Sequence, residues 1–123
     1  MDITGADGGE IGDGAQNTID ILNSCGGSDI AAKVCDDYVY DGYDDWFLPT
    51  VSTLLEFREH FTTINNKLLE NGGEVIADYN QFWSSLESSS FNAVTVIMNP
   101  SELFPIESRP KTHSKDVRAV RAF

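Results

Sequence analysis

Residues 42–50 read GYDDWFLPT. Trp46, Phe47 and Leu48 form a short apolar run, and Pro49 both ends it and biases Leu48 to extended geometry. Thr50 is a natural N-cap for the next element. Leu54, Phe57 and Phe61 then fall at i, i+3 and i+7, with Leu55 and Arg58 beside them, which predicts a helix. A further helical turn or two, Ile64 to Glu70, ends at Asn71-Gly72-Gly73. Working backwards, Asp41-Gly42 reads as a turn. Before it, Ser28 and Asp29 are good N-caps for a helix carrying Ile30, Ala31, Val34, Cys35 and Tyr38 on one face. Residues 17–24 suit a short helix stopped by Gly26-Gly27. Residues 1–16 hold Gly5, Gly8, Gly9, Gly12 and Gly14 with Asp2, Asp7 and Asp13, and read as a solvated, loop-rich leader. The spacing of a calcium-binding loop is absent from it.

After residue 73 the texture changes. Short β-like runs replace helical periodicity at Tyr79 to Ser85, Phe91 to Met98, Leu103 to Ile106 and Val117 to Phe123. Pro100, Pro105 and Pro110 interrupt them, which argues against long central strands. Helices first and strands later is an α+β order rather than an alternating α/β one. No internal repeat is visible, and the 123 residues suit one domain.

The formal net charge is −12. Phosphate backbones are gripped by clustered Lys and Arg, so nucleic acid is an unfavourable partner. Anionic membrane surfaces and sulfated glycans are disfavoured for the same reason. The charge is uneven: residues 1–60 carry 13 acids against Lys33 and Arg58, whereas residues 61–123 carry 7 acids against 6 bases. Five of those bases lie between Arg109 and Arg121, so an acidic partner stays possible near Arg109, Lys111 and His113. Hydrophobic residues at 41% are enough for a folded core. No run of 18 apolar residues exists, so no membrane insertion is expected. The start of the chain has neither a basic n-region nor an apolar h-region and does not read as a secretory signal. Cys25 and Cys35 allow either a disulfide or two buried thiols.

Motifs for chemistry are few. Phosphate-cradling and dinucleotide glycine motifs, zinc spacings and a nucleophile elbow are all missing. His60 reads as a surface or boundary helix residue and His113 as a loop residue. Cys35 lies beside Asp36 and Asp37, which would raise its pKa rather than lower it. No catalytic residue, metal or cofactor is expected.

Three segments carry a resemblance: AAKVCDDYVYDGYDDWFLPT (31–50), FWSSLES (82–88) and VRAVRAF (117–123). They resemble, in order, the landmarks of the family typified by the C-terminal domain of a collagen-like adhesin, the Lcl C-terminal family. Members read AAKLCDDL, then G-Y-x-D-W-x-L-P-[ST], later Y-W-S-S-[ST]-E, and close on V-R-x-V-R. The similarity spans about residues 10–123, with Phe82 in place of Tyr and Leu86 in place of Ser or Thr. The resemblance implies a C-type-lectin-like fold, with two main helices flanking small twisted antiparallel sheets and much irregular loop. That fold is similar to the variable proteins of diversity-generating retroelements. In those proteins, ligand-contacting residues lie between a Trp-containing strand and the last strand. Binding of a protein or glycan on a cell or virion surface is therefore expected rather than catalysis, with an extracellular, cell-surface or virion-associated location. A structural or oligomerising adhesin module that binds cell-surface glycans is the alternative, and the oligomeric state stays open. The formylglycine-generating enzymes share the broad fold, but Cys25 and Cys35 do not match their cysteine pair.

On this reading residues 88–113 are the contact region. Ser88, Ser89, Ser90, Phe91 and Asn92 form a small polar cluster with one aromatic, the composition of adaptable binding loops. Phe104 and Ile106 bracket Pro105, and Arg109 and His113 lie on the following loop. Structural roles fall to Trp46 and Trp83 as core anchors with bonded indole N–H groups, although stacking on a ligand is the alternative for each. Glu87 is read as an acceptor for backbone or hydroxyl donors. Arg118 and Arg121 are expected to pair with acids, including the Asp pairs at 36–37 and 44–45.

Overall fold

A computed structural model describes residues 5, 8–24, 30–73, 75–77, 79–89 and 91–122. Cys25, Ser28, Asp29, Ser90 and Phe123, on which some of these expectations fall, lie outside the described residues. The elements in order are α1 (Gly14–Ser24), α2 (Ala31–Asp37), α3 (Val51–Glu59), α4 (Phe61–Glu70), β1 (Gln81–Glu87), β2 (Asn92–Ile97) and β3 (Ile106–Pro110). The class is mixed α+β, with helices preceding one antiparallel sheet of order β1-β2-β3.

Several helix boundaries have a local cause. The Thr50 hydroxyl accepts the Thr53 N–H at 3.2 Å, capping α3. His60 separates α3 from α4 with φ −104° and ψ 25°. Asp41 and Gly42 both adopt positive φ, 52° and 81°, and Tyr40 and Tyr43 exchange both backbone hydrogen bonds across them. That is a two-residue hairpin turn of the kind whose twist suits paired strands. The first residue of α1 has to be glycine. A Cβ on Gly14 would lie 2.8 Å from the Phe47 ring and 2.9 Å from the Leu48 carbonyl oxygen.

The sheet is covered on both faces, and β1 is accordingly buried at four consecutive positions, Phe82 to Ser85. Period-two alternation divides the packing. Phe82, Val94 and Val96 join Val51, Leu54, Ile76 and Met98 in one cluster, against α3 and α4. Trp83 turns the other way and joins Ala32, Cys35 and Leu48, with Ile21, Ala93, Val117 and Ala119 at the margin. A buried polar seam links the layers. Thr18 donates to the Gly14 carbonyl and accepts the Leu48 N–H. Asn17 bonds Gly8 twice and Ser85 once. On α3, Arg58 donates to the carbonyls of Asn99, Pro100 and Glu102, holding the β2–β3 connection against the helix.

Several expectations are corrected. Among the described residues there are four helices, near the four stretches whose spacing reads as helical, and one sheet, where the resemblance implied two main helices and more than one sheet. Residues 117–122 make no regular strand. Isolated bridges at Asp116 to Phe82 and Val120 to Phe47 dock the segment along β1 and the Trp46–Leu48 run. The third strand starts after Pro105 rather than before it. Ring closure removes a donor that a ladder would need, so the strand forms on the sheet edge and ends at Pro110. The leader is not simply solvated: the Gly9 carbonyl accepts the Ser52 N–H, and Gly14 opens a helix inside the range read as loop.

Cys35 is a fully buried free thiol on α2, and burial pushes its pKa up to about 12. A thiol with a raised native pKa holds its proton where the unfolded chain has lost it. Its share of stability is complete below the unfolded value of about 9 and is lost as pH rises towards 12. Chemical denaturation should therefore show stability falling across that window, and Cys35→Ser should flatten the fall. In the native state near neutral pH, Cys35 should not react with a thiol reagent.

Candidate functional site

The proposed contact residues do not form one surface. Strand β3 separates them: its five residues span about 13 Å at about 3.3 Å per residue. At one end lie the β1–β2 turn and the loop that leaves Pro110. At the other lie Ile106, which opens β3, and the β2–β3 connection with Leu103 and Phe104.

The first end is closely tied together. The N–H groups of Ser88 and Ser89 both donate to the Asn92 carbonyl. The Ser89 hydroxyl accepts from the N–H groups of Phe91 and Asn92, and the Ser88 hydroxyl bonds that of Ser108. These serines therefore shape the turn as much as they offer hydroxyls to a partner. The turn presents Phe91 to solvent at 77% exposure. The Phe91 carbonyl accepts the Lys111 N–H at 2.8 Å, which joins the turn to the next loop. There the His113 N–H bonds the Pro110 carbonyl and its side chain is exposed. Lys111 and Glu87 pair at 3.2 Å with both side chains largely buried, so Glu87 anchors this loop through a cation.

Beside this end is a cleft of about 350 Å³. Trp83 and Leu48 lie at its base, Ile21 and Val34 supply an apolar helical wall, and Lys111 and His113 supply a polar one. Mostly apolar concave walls with a few polar groups are what a ligand recess requires. Sequence reasoning placed Val34 on a buried helical face, whereas half of it is open to the cleft. Spacing marks which residues share a face; it does not tell a covered face from one that lines a recess.

Arg109 stands on the sheet face with Glu107, pairing with it through Nη2. Its Nε is buried without a hydrogen-bond partner among the described residues. Gln81 reaches the same Glu107 at 3.2 Å and Thr95 at 2.7 Å. Arg109 is thus part of a network on the sheet rather than a loop residue. Phe104 and Ile106 are exposed at 78% and 49%, not packed inside.

Among the residues given structural roles, Trp83 is buried at 9% exposure, with no hydrogen bond from its indole to a described residue. Trp46 is a correction. It is absent from both core clusters and sits half-buried in a surface group of aromatics. Its indole donates to the Tyr43 carbonyl at 2.9 Å. Large apolar area alone did not distinguish the two tryptophans. Arg121 grips Asp45 through Nε at 2.7 Å and Nη2 at 3.1 Å. Its guanidinium, hydrogen-bonded to the carboxylate, holds the Asp45 pKa below its ordinary value. Arg118 makes no ion pair with a described residue. Glu56, Glu59 and His60 gather ligand atoms within 4.8 Å of one another, all exposed on adjacent turns. No helix among the described residues is long and apolar enough to cross a membrane.

Comparison with protein-family models, with curated proteins and with solved structures returned no match for this chain.

Proposed function

We propose that the chain is a non-catalytic ligand-binding domain with a C-type-lectin-like arrangement, related to the Lcl C-terminal family and to the variable proteins of diversity-generating retroelements. Its ligand is a protein or glycan on a cell or virion surface. The observation that carries this reading is the end of the sheet built by the 88–92 turn and the 111–115 loop. An exposed Phe91 stands on a rigid turn, next to an apolar cleft rimmed by Lys111 and His113. An aromatic on a pre-ordered turn supplies contact area at small entropic cost, and flanking hydroxyl and imidazole groups supply adaptable hydrogen bonds. The raised thiol pKa of Cys35 speaks against that residue as a nucleophile. The family landmarks themselves fit scaffold roles: the Trp-Ser-Ser run lies in β1, and the closing Val-Arg-Ala-Val-Arg segment docks beside it.

Sequencing copies of the encoding locus tests the reading. Substitutions should concentrate in codons 88–113, at positions matching adenines of a neighbouring near-copy, with a reverse transcriptase gene nearby. Within that range, the codons of Phe91, Asn92 and His113 should vary more than those of Val94 and Val96, which lie in the core. Variation spread evenly over α3 and the sheet would count against a diversified binding face.

A further inference from the structure

The connection between α2 and α3 carries five aromatic side chains, Tyr38, Tyr40, Tyr43, Trp46 and Phe47, and none of them lines the cleft. Tyr38 and Tyr40 stack in parallel with centroids 6.2 Å apart. Trp46 meets the Tyr38 ring edge-on at 5.1 Å. Despite this mutual packing, Tyr40 stays 63% exposed and Val39 65%. Contiguous exposed aromatic area of this kind marks an interaction surface.

Its electrostatic setting narrows the partner. Asp36, Asp37, Asp41, Asp44 and Asp45 are all exposed, and no Lys or Arg occurs between Lys33 and Arg58. Lys33 takes Asp37 and Arg121 takes Asp45. Asp41 and Asp44 have no such cation among the described residues, and Asp36 is within electrostatic reach of Lys33 without forming an ion pair with it. The surface also carries its own example of what it holds. The Arg121 guanidinium carbon lies 3.8 Å from the Tyr43 ring centroid while its nitrogens fork onto Asp45. A planar cation is satisfied there by a ring face and a carboxylate together, a combination Lys cannot reproduce.

We propose that the Tyr38–Tyr40 face, with Asp36, Asp41 and Asp44 around it, is a docking site for an arginine-bearing segment of a partner protein. The partner repeats in trans the arrangement that Arg121 makes in cis on Tyr43 and Asp45. Charge complementarity selects this occupant over an anionic one, and the acidic N-terminal half of the chain steers its approach. The site is separate from the Phe91 end, so the two can succeed or fail independently.

The test uses the full chain and two labelled peptides of equal length and charge, one with Gly-Arg repeats and one with Gly-Lys repeats, titrated at about 150 mM salt, where distant exposed charges are largely screened. The Arg peptide should bind at least fivefold more tightly than the Lys peptide. The double variant Tyr38→Ala/Tyr40→Ala should weaken it at least tenfold, and Tyr40→Leu, which keeps apolar area without a ring face, should weaken it as well. Phe91→Ala should leave it unchanged. Equal affinity for both peptides, or an unaltered affinity in the double variant with its fold intact by circular dichroism, would mean attraction by net charge alone and overturn the proposal. Binding of a neutral oligosaccharide in place of the Arg peptide, lost in the same variants, would overturn it in favour of a glycan surface.

Discussion

Trp83→Ala lowers the unfolding free energy by about 3–5 kcal/mol, the range for deleting a large buried aromatic. The residue is 9% exposed and packs on Ala32, Cys35 and Leu48. Burying an indole removes about 150–250 Å² from water, which at about 25 cal/mol per Å² is about 4–6 kcal/mol. Both routes give the same order. For a domain of this size the loss corresponds to a fall of about 10–20 °C in Tm, measurable by thermal unfolding. The backbone of Trp83 adds a second role that the variant spares: its N–H donates to the Asp116 carbonyl at 3.0 Å. Because that bond survives truncation, the variant should keep the 116–120 segment docked while opening the base of the cleft. Trp83→Phe should retain more than half of the stability, since a smaller ring still bridges α2 and the sheet. A loss below about 1 kcal/mol for Trp83→Ala would mean that the indole is not wedged between the layers.

Local signals and tertiary ones differed in how far they could be read. Thr50, the Asp41-Gly42 turn and the Leu54–Phe57 spacing act within a few residues, and each of these elements stands near its expected place, although the helix breaks at His60 and Phe61 falls in α4. The first two strands lie within two residues of their expected starts. The third is displaced because prolines at 105 and 110 define its limits, and a sheet edge tolerates proline where a centre does not. The last segment alternates in sequence like a strand, but its partners change along its length, from Phe82 at Asp116 to Phe47 at Val120. Alternation cannot reveal such a switch. The candidate site was legible as a stretch and not as a surface. Residues 88–113 are continuous in the chain, yet the length of β3 sends Phe91 and Phe104 to opposite ends, and the wall supplied by Ile21 and Val34 arises only when α1 and α2 dock.

Asn17→Leu should cost about 2–4 kcal/mol despite its similar branched shape. Asn17 is 3% exposed and sits in the first turns of α1. Its amide nitrogen donates to the Gly8 carbonyl at 2.6 Å and to the Ser85 hydroxyl at 3.0 Å, and its oxygen accepts the Gly8 N–H at 3.3 Å. One side chain thus fastens the segment before α1, the helix itself and the centre of the sheet. Leu removes one partner of all three bonds and leaves the Gly8 groups and the Ser85 hydroxyl to find others. Each buried orphan costs about 1–3 kcal/mol, partly relieved where the Gly8 backbone swings out to water. Hydrogen exchange should accordingly show faster exchange at Gly8 and Gly9, and at Ser52, whose N–H depends on the Gly9 carbonyl. Ser85→Ala, which leaves the Gly8 pair intact, should cost less, about 1 kcal/mol. A double-mutant cycle between the two sites should give a coupling that accounts for the shared bond and leaves the Gly8 bonds as the remainder. Asn17→Asp discriminates further. It keeps the acceptor for the Gly8 N–H, but it loses both donors and places an ionisable group in the same seam. Burial and facing oxygens raise such a carboxyl's native pKa above the unfolded value of about 3.9. The folded state then binds the proton more tightly, so this variant should be least impaired at about pH 4 and should lose stability as pH rises to about 7, in denaturation experiments run across that range. If Asn17→Asp were equally stable at both pH values, the amide would not occupy a dry, bonded site, and the leader would have to be held by Gly9 and Ser52 alone.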